Sequence, residues 1–347
     1  MNKTAPIIPR SPDPEHAPAW RRELAEAVTR PAELLALLGL PPEPSAETAA
    51  ELFGLRVPRG FIARMRHGDR NDPLLLQVLP QAAECAAAPA GYGPDPLAEA
   101  AAMTVPGLLH KYRGRVLLTL TGACGIHCRY CFRRHYPYTE ANPGGSHWPA
   151  TLEHIGADTG ITEVILSGGD PLSLSDARLA ALCADLAAIP HLRRLRLHSR
   201  LPIVLPARIT PELLETLSGG RLDAVLVVHA NHPNEIDATV RLALRRTVAA
   251  GVPVLNQAVL LRGVNDRADT LCALSEALFQ AGALPYYLHQ LDRVLGAAHF
   301  EVPDAKAVAL AAELRARLPG YLVPRLVREE AGAPAKTPLG EGIALHL

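Results

Sequence analysis

Three cysteines, Cys124, Cys128 and Cys131, stand in the run Thr-Gly-Ala-Cys-Gly-Ile-His-Cys-Arg-Tyr-Cys, spaced C-x3-C-x2-C. Thiolates this close in sequence can share one metal centre, and their number decides its kind. A structural zinc site closes on four ligands. Electron-carrying iron–sulfur clusters are also held by four thiolates. Three thiolates on a cubic four-iron cluster leave one iron open, and an open iron can bind a small molecule directly. A zinc site is the alternative.

Other residues could supply chemistry around such a centre. In Ser167-Gly168-Gly169-Asp170-Pro171 the paired glycines let backbone approach a ligand closely, and Asp170 can accept from an ammonium. A strand-to-helix turn with a capping Asp is the plainer alternative. His229 and Gln257 end later apolar runs and can meet a carboxylate or hydroxyl, or serve as ordinary hydrogen-bonded residues. Only four of the 35 cationic residues are lysines: Lys3, Lys111, Lys306 and Lys336. Lysine can form an imine with an aldehyde cofactor, and arginine cannot. Lys336 sits in a Gly/Pro-rich stretch, Gly332 to Gly340, which marks it for pyridoxal phosphate (PLP) rather than for the solvated surface. Lys111, Tyr112 and Arg115 suit the phosphate and ring of that cofactor, because guanidinium pairs well with phosphate. Arg133 can fork a substrate carboxylate, while Asp292 and Glu329 can meet a distal ammonium; each alone also reads as a surface charge.

Composition bounds the setting. The 347 residues are 48% apolar, enough for one large core or two ordinary ones. Formal charge is zero, which argues against a nucleic-acid surface or an anionic membrane as partner. The amino terminus has no apolar h-region, and no stretch of about 18 uncharged apolar residues occurs. Cys85, Cys183 and Cys272 are isolated in Ala/Leu-rich surroundings and read as buried thiols. The whole reads as a reduced, cytoplasmic enzyme.

The elements that must position these residues form a regular rhythm. Strand-like runs occur at 116–120, 163–166, 195–198, 224–228, 254–259 and 284–288. Helix-patterned segments at 176–188, 211–217, 236–250 and 268–281 lie between them. Alternation at roughly 30-residue spacing signals βαβ units and a parallel sheet. The expected fold is α/β, an incomplete (β/α)6 barrel with an N-terminal helical extension; a doubly wound open sheet is the alternative. Residues 1–15 read as a disordered tail, 16–110 as a helical accessory segment, 111–300 as the barrel and 301–347 as a C-terminal segment carrying Lys336. In the accessory segment, 20–38 and 46–53 are helical, 57–79 is loop-like, and 94–109 is a further helical approach. The polar clusters fall at the carboxyl ends of the strands, where parallel barrels build active sites.

As a set, these motifs resemble the lysine 2,3-aminomutase family of radical S-adenosylmethionine (SAM) enzymes. The resemblance runs through His110-Lys-Tyr-Arg-Gly-Arg-Val, the cysteine motif with Phe-Arg-Arg, Ser167-Gly-Gly-Asp-Pro-Leu, Val204-Leu-Pro-Ala-Arg-Ile-Thr, His229-Ala-Asn-His-Pro-Asn-Glu, Leu260-Leu-Arg-Gly-Val-Asn-Asp and Lys336-Thr-Pro-Leu. Val57-Pro-Arg-Gly-Phe-Ile-Ala and Asp72-Pro-Leu-Leu-Leu-Gln-Val resemble the EpmB-like subgroup, which supplies β-lysine for elongation factor P.

The resemblance implies roles. Cys124, Cys128 and Cys131 hold a [4Fe-4S] cluster. Ser167, Gly168, Gly169, Asp170, His229 and Gln257 contact SAM. Lys336 attaches PLP, held by Lys111, Tyr112 and Arg115. Arg133 takes the carboxylate of free L-lysine, and Asp292 with Glu329 its ε-amine; the family's fermentative members have aspartate at the position of Glu329. Implied partners are an electron donor such as flavodoxin or ferredoxin and a downstream ligase acting on elongation factor P. A homodimer is compatible with this reading. The fermentative enzymes also carry a cysteine-bearing extension that binds zinc between subunits, and with no cysteine after Cys272 that site is not expected here. Rival readings are an aminomutase for arginine or glutamate, an RNA-modifying radical SAM enzyme and an iron–sulfur carrier.

Overall fold

The computed structural model describes residues 18–138 and 147–340. The expected tail at 1–15 lies outside the described residues. The chain begins with short helices: α1 (Ala19–Ala25), α2 (Pro31–Leu37), α3 (Pro44–Leu52), α4 (Arg59–Ile62) and α5 (Pro73–Leu76). Pro31, Pro44 and Pro73 each open a helix, where a missing N–H costs nothing. Asp72 caps α5 by accepting from the amides of Leu74 and Leu75 at 2.8 and 3.0 Å.

The helical expectation for 94–109 fails. This stretch leads into β1 (Met103–Val105) and β2 (Leu108–Tyr112), an antiparallel hairpin. The turn is Pro106-Gly107, with Gly107 at φ 79°, a left-handed conformation that glycine adopts without strain. The domain boundary drawn at 110 falls inside β2.

Seven parallel strands follow: β3 (Arg115–Thr119), β4 (Glu163–Ser167), β5 (Arg194–Ser199), β6 (Asp223–Val228), β7 (Val254–Val259), β8 (Ala283–His289) and β9 (Arg325–Arg328). β10 (Thr337–Pro338) then pairs antiparallel with β9. Neighbours in the sheet run in sequence order from β1 to β10. The first six parallel strands match the six expected. β9 was not among them, because Arg-Leu-Val-Arg has only two apolar residues. The connections carry α6 (Trp148–Ala157), α7 (Asp176–Ala187), α8 (Leu201–Val204), α9 (Pro211–Ser218), α10 (Ala238–Ala249), α11 (Ala268–Gln280) and α12 (Asp304–Arg317). Residues of the N-terminal helices, such as Trp20, Leu34 and Phe61, join the same hydrophobic cluster as the strands and outer helices.

Side chains alternate across each strand. On β7, Val254, Asn256 and Ala258 are buried against the outer layer, while Leu255, Gln257 and Val259 face inward. On β4 and β5 the same period turns Glu163, Ile165 and Ser167, and Arg194, Arg196 and His198, toward the interior. The interior is not filled: it holds a cavity of about 780 Å³. Among the described residues, no helix is long and apolar enough to cross a membrane.

Candidate active site

The cysteine loop follows β3, and all three of its cysteines line the cavity. Burial pushes the Cys124 thiol well up, and the nearby Cys131, Asp170 and Cys128 push it the same way. Burial likewise lifts Cys131 to about 11, with Cys128 adding to the effect. Crowded thiols that resist ionisation are what a cationic centre would relieve. Among the described residues, no three His, Cys, Asp or Glu side chains close on a single metal-ion position. Three buried thiols on one loop that faces the cavity suit a multi-iron cluster, in which each thiolate binds a different iron.

The N-terminal segment grips this loop from outside. Glu84, fully buried, accepts from Arg129 at 2.9 and 2.5 Å and from Arg134 at 2.9 Å. Both guanidiniums also lie over the Phe53 ring, at 4.9 and 4.7 Å. His127 stacks on the same ring and bonds the Gly54 carbonyl at 2.8 Å. A second buried group ties the segment to the loop: Arg200 donates to Gln77 Oε1 and to Cys128 Sγ, both at 2.7 Å.

The 167–170 segment packs directly behind the loop. The amides of Gly169 and Asp170 donate to the carbonyls of Thr121 and Ala123 at 2.6 and 2.8 Å. A Cβ on Gly168 would stand 2.7 Å from the Thr121 carbonyl oxygen, and one on Gly169 2.4 Å from that of Ala123. The glycines are thus required by the cysteine loop itself. Asp170 takes the capping role, the plainer of its two readings. Its carboxylate accepts from Leu172 N, Ser199 Oγ, Arg200 N and Leu201 N at 2.7 to 3.0 Å. Both oxygens are occupied by the fold, and the Gly168 carbonyl accepts from the Tyr138 hydroxyl at 2.9 Å.

His229 and Gln257 do face the cavity and bond each other at 2.9 Å; Gln257 also reaches His198 at 3.4 Å. Burial pushes His229 down to about 3, helped by the charges of Arg200 and Arg133. Burial also lowers His198 and His289 far below the ordinary range. Among the described residues, the buried Nε2 atoms of His198 and His289 have no partner. This neutral imidazole layer is a ready partner for ligand hydroxyl or ring groups. Neither His198 nor His289 was singled out from sequence as a site residue, although each ends a polar-tipped strand.

A line of alternating charges crosses the cavity. Lys336 donates to Glu329 at 2.5 Å, and Lys111 donates to the other oxygen of Glu329 at 3.1 Å. Lys111 also pairs with Glu99 at 3.0 Å, and Glu99 is forked by Arg133 at 2.7 and 2.8 Å. Arg133 continues to Ser167 Oγ at 3.0 Å. Among the described lysines, Lys111 and Lys336 line the cavity, whereas Lys306 pairs with Asp266 at the surface. Arg115 lies over the Tyr112 ring at 4.6 Å and has no ion pair among the described residues. An amine facing the cavity, with an uncommitted guanidinium nearby, fits PLP. Asp292 faces the same space. Burial pushes its carboxyl up to about 7, and the Glu329 charge adds to this against Lys336 and Lys111.

Among the described residues, seven parallel strands form a partial barrel with a three-cysteine loop after the first of them. A solved radical SAM methyltransferase from Sphaerobacter thermophilus shares 17% identity, with a TM-score of 0.46 over 64% of this chain and 68% of that one. No family model matches the chain. Curated relatives are much nearer. L-lysine 2,3-aminomutase of Escherichia coli (strain K12) is 52% identical over 323 residues, covering 92% of this chain and 94% of that protein. The Haemophilus influenzae protein of the same name is 48% identical over 334 residues, covering 95% and 98%. The chain belongs to the L-lysine 2,3-aminomutase family and is an isomerase.

Proposed function

We propose that this chain converts free L-lysine to β-lysine by moving the amino group from C2 to C3. The observation that carries the reading is Asp292. Its carboxylate has no hydrogen-bond donor among the described residues, yet it faces the cavity that Arg133 and Lys336 also line. An uncommitted acid in the same cavity as an arginine suits a substrate with a carboxylate at one end and an ammonium at the other.

In this reading Cys124, Cys128 and Cys131 hold a [4Fe-4S] cluster. Ser167, Gly168, Gly169, Asp170, His229 and Gln257 line the space that holds SAM. Lys336 attaches PLP, and Lys111, Tyr112 and Arg115 hold its ring and phosphate. Arg133 orients the substrate α-carboxylate, and Asp292 with Glu329 the ε-ammonium. When bound, PLP supplies the π-system through which nitrogen migrates, and the reduced cluster with SAM supplies the hydrogen-abstracting radical. The protein's part is position and the exclusion of water. The reaction takes place in the cytoplasm and takes its electron from a flavodoxin or ferredoxin. Its product goes to a ligase acting on elongation factor P.

The test is direct. Reduced protein is incubated anaerobically with SAM, PLP and, separately, lysine, arginine or glutamate, and the isomers are identified. β-Lysine is expected. Preferential isomerisation of glutamate or arginine would overturn the assignment. Deleting the gene should leave elongation factor P without its β-lysyl group, and added β-lysine should restore it.

A further inference from the structure

The N-terminal segment contributes one side chain to the cavity that no motif announced. Glu99 lies between α5 and β1 and is 2% exposed. Its two oxygens accept from Nε and Nη2 of Arg133 at 2.7 and 2.8 Å, a side-on fork. The rings of Phe132 and Tyr136 lie 4.8 and 5.8 Å from the same guanidinium. Nη1 reaches Ser167 Oγ at 3.0 Å. Nη1 also reaches the Gly168 carbonyl at 3.5 Å, so the guanidinium is held in one orientation.

We propose that Glu99 is a positioning residue that aims Arg133 at the substrate carboxylate. The inference rests on the reading of Arg133 given above. A fork fixes both the direction and the plane of a guanidinium, which a single contact does not. The same carboxylate also accepts from Lys111, which bonds Glu329, which bonds Lys336. Glu99 thus links Arg133, through Lys111 and Glu329, to the amine of Lys336. Burial opposes its charge, but Arg133 and Lys111 outweigh burial and hold the carboxyl below its ordinary range.

The experiment compares the parent with E99Q, E99D, R133Q and E99Q/R133Q. Lysine affinity is read by calorimetry on the PLP-bound protein, alongside KM and kcat. Losing one charge-assisted fork should weaken lysine binding in E99Q by roughly 10- to 100-fold, with KM changed more than kcat. Borohydride labelling of Lys336 and reconstituted iron content should match the parent. E99D keeps the charge and should fall between parent and E99Q. The double variant should bind lysine no more weakly than R133Q, because Glu99 acts through Arg133. Parent-like lysine affinity in E99Q, with only a lowered melting temperature, would make Glu99 a structural counterion and overturn the proposal. So would additive losses in the double variant, or an E99D no better than an E99Q that fails to fold. If R133Q itself binds lysine like the parent, the assignment of Arg133 fails and takes this inference with it. That outcome is distinct from one in which R133Q is impaired and E99Q is not.

Discussion

Lys111 and Glu329 lie 218 residues apart in the chain, yet the lysine ammonium donates to the glutamate carboxylate at 3.1 Å. Lys111 belongs to β2 and Glu329 follows β9, so the pair joins the two margins of a barrel that its hydrogen-bonded sheet leaves open. The other oxygen of Glu329 accepts from Lys336 at 2.5 Å. Burial would raise the Glu329 carboxyl, but Lys336 and Lys111 overcome it and hold it well below the usual range. One acid therefore closes the barrel and fixes the candidate cofactor lysine.

Glu329→Gln should lower unfolding free energy by about 1–3 kcal/mol at neutral pH, because two facing cations lose their shared anion. The sign of its pH dependence follows from the depressed folded pKa. The stabilisation is complete above the unfolded value of about 4.3 and is lost as pH falls through the lower folded value. Denaturant unfolding at a series of pH values should show parent and variant converging in acid. A constant difference across that range would mean the charge of Glu329 is not what stabilises the closure.

Gly169→Ala should disable the cluster loop from behind. The added carbon meets the Ala123 carbonyl oxygen at 2.4 Å, a backbone atom that cannot swing aside. The parent should take up about four irons with matching sulfide on anaerobic reconstitution, as a four-iron cluster requires. The variant should take up markedly less and show a perturbed spectrum. Tightly bound zinc without sulfide in the parent would refute the cluster assignment itself.

These sites differ in how far the sequence exposes them. The cysteine motif is local, and the first six parallel strands recur at regular spacing with apolar residues in runs or in alternation, so both are legible. β9 hides because two arginines flank two apolar residues. Gly168 and Gly169 declare a close approach but not what approaches, and the neighbour proves to be the cysteine loop. Asp170 announces an acceptor; Leu172 N is a local donor, but the other three donors lie at 199–201, out of reach of any local pattern. Glu84 and Glu99 carry no signal at all. Glu84 sits in a single turn of 3-10 helix and Glu99 in a turn, and their partners, Arg129 and Arg133, stand 45 and 34 residues further on.

Glu84→Ala should be among the more destabilising single changes in the N-terminal segment. It strips the carboxylate from Arg129 and Arg134, whose side chains are 0% and 2% exposed. Breaking a buried ion pair from one side typically costs about 3–5 kcal/mol. Chemical denaturation should register a loss of that order, and hydrogen exchange should rise first at residues 126–134. A loss below about 1 kcal/mol, the scale of a surface ion pair, would show that the clamp does not hold the loop.

Asp292 carries a prediction in which activity and stability move in opposite directions. Its carboxyl is pushed up to about 7, first by burial and then by Glu329. In the free enzyme it is therefore an anion only above that pH, while the ε-ammonium of lysine persists to about 10.4. Charge complementarity then requires kcat/KM for lysine to climb as pH rises through about 7, since that ratio reports free-enzyme ionisations. Asp292→Asn should abolish this limb and lower the plateau by roughly 10- to 150-fold, the scale of one charge-assisted hydrogen bond. Stability has the reverse sign. A folded pKa above the unfolded one means the native state holds the extra proton, so ionising Asp292 costs stability as pH rises from about 4 to about 7. The asparagine variant escapes that cost and should gain on the parent across this window. A group kept for binding at the expense of the fold shows this crossed signature, whereas a purely structural acid loses both together. If Asp292→Asn isomerises lysine as well as the parent, or keeps the same acid limb, the ammonium partner is not Asp292.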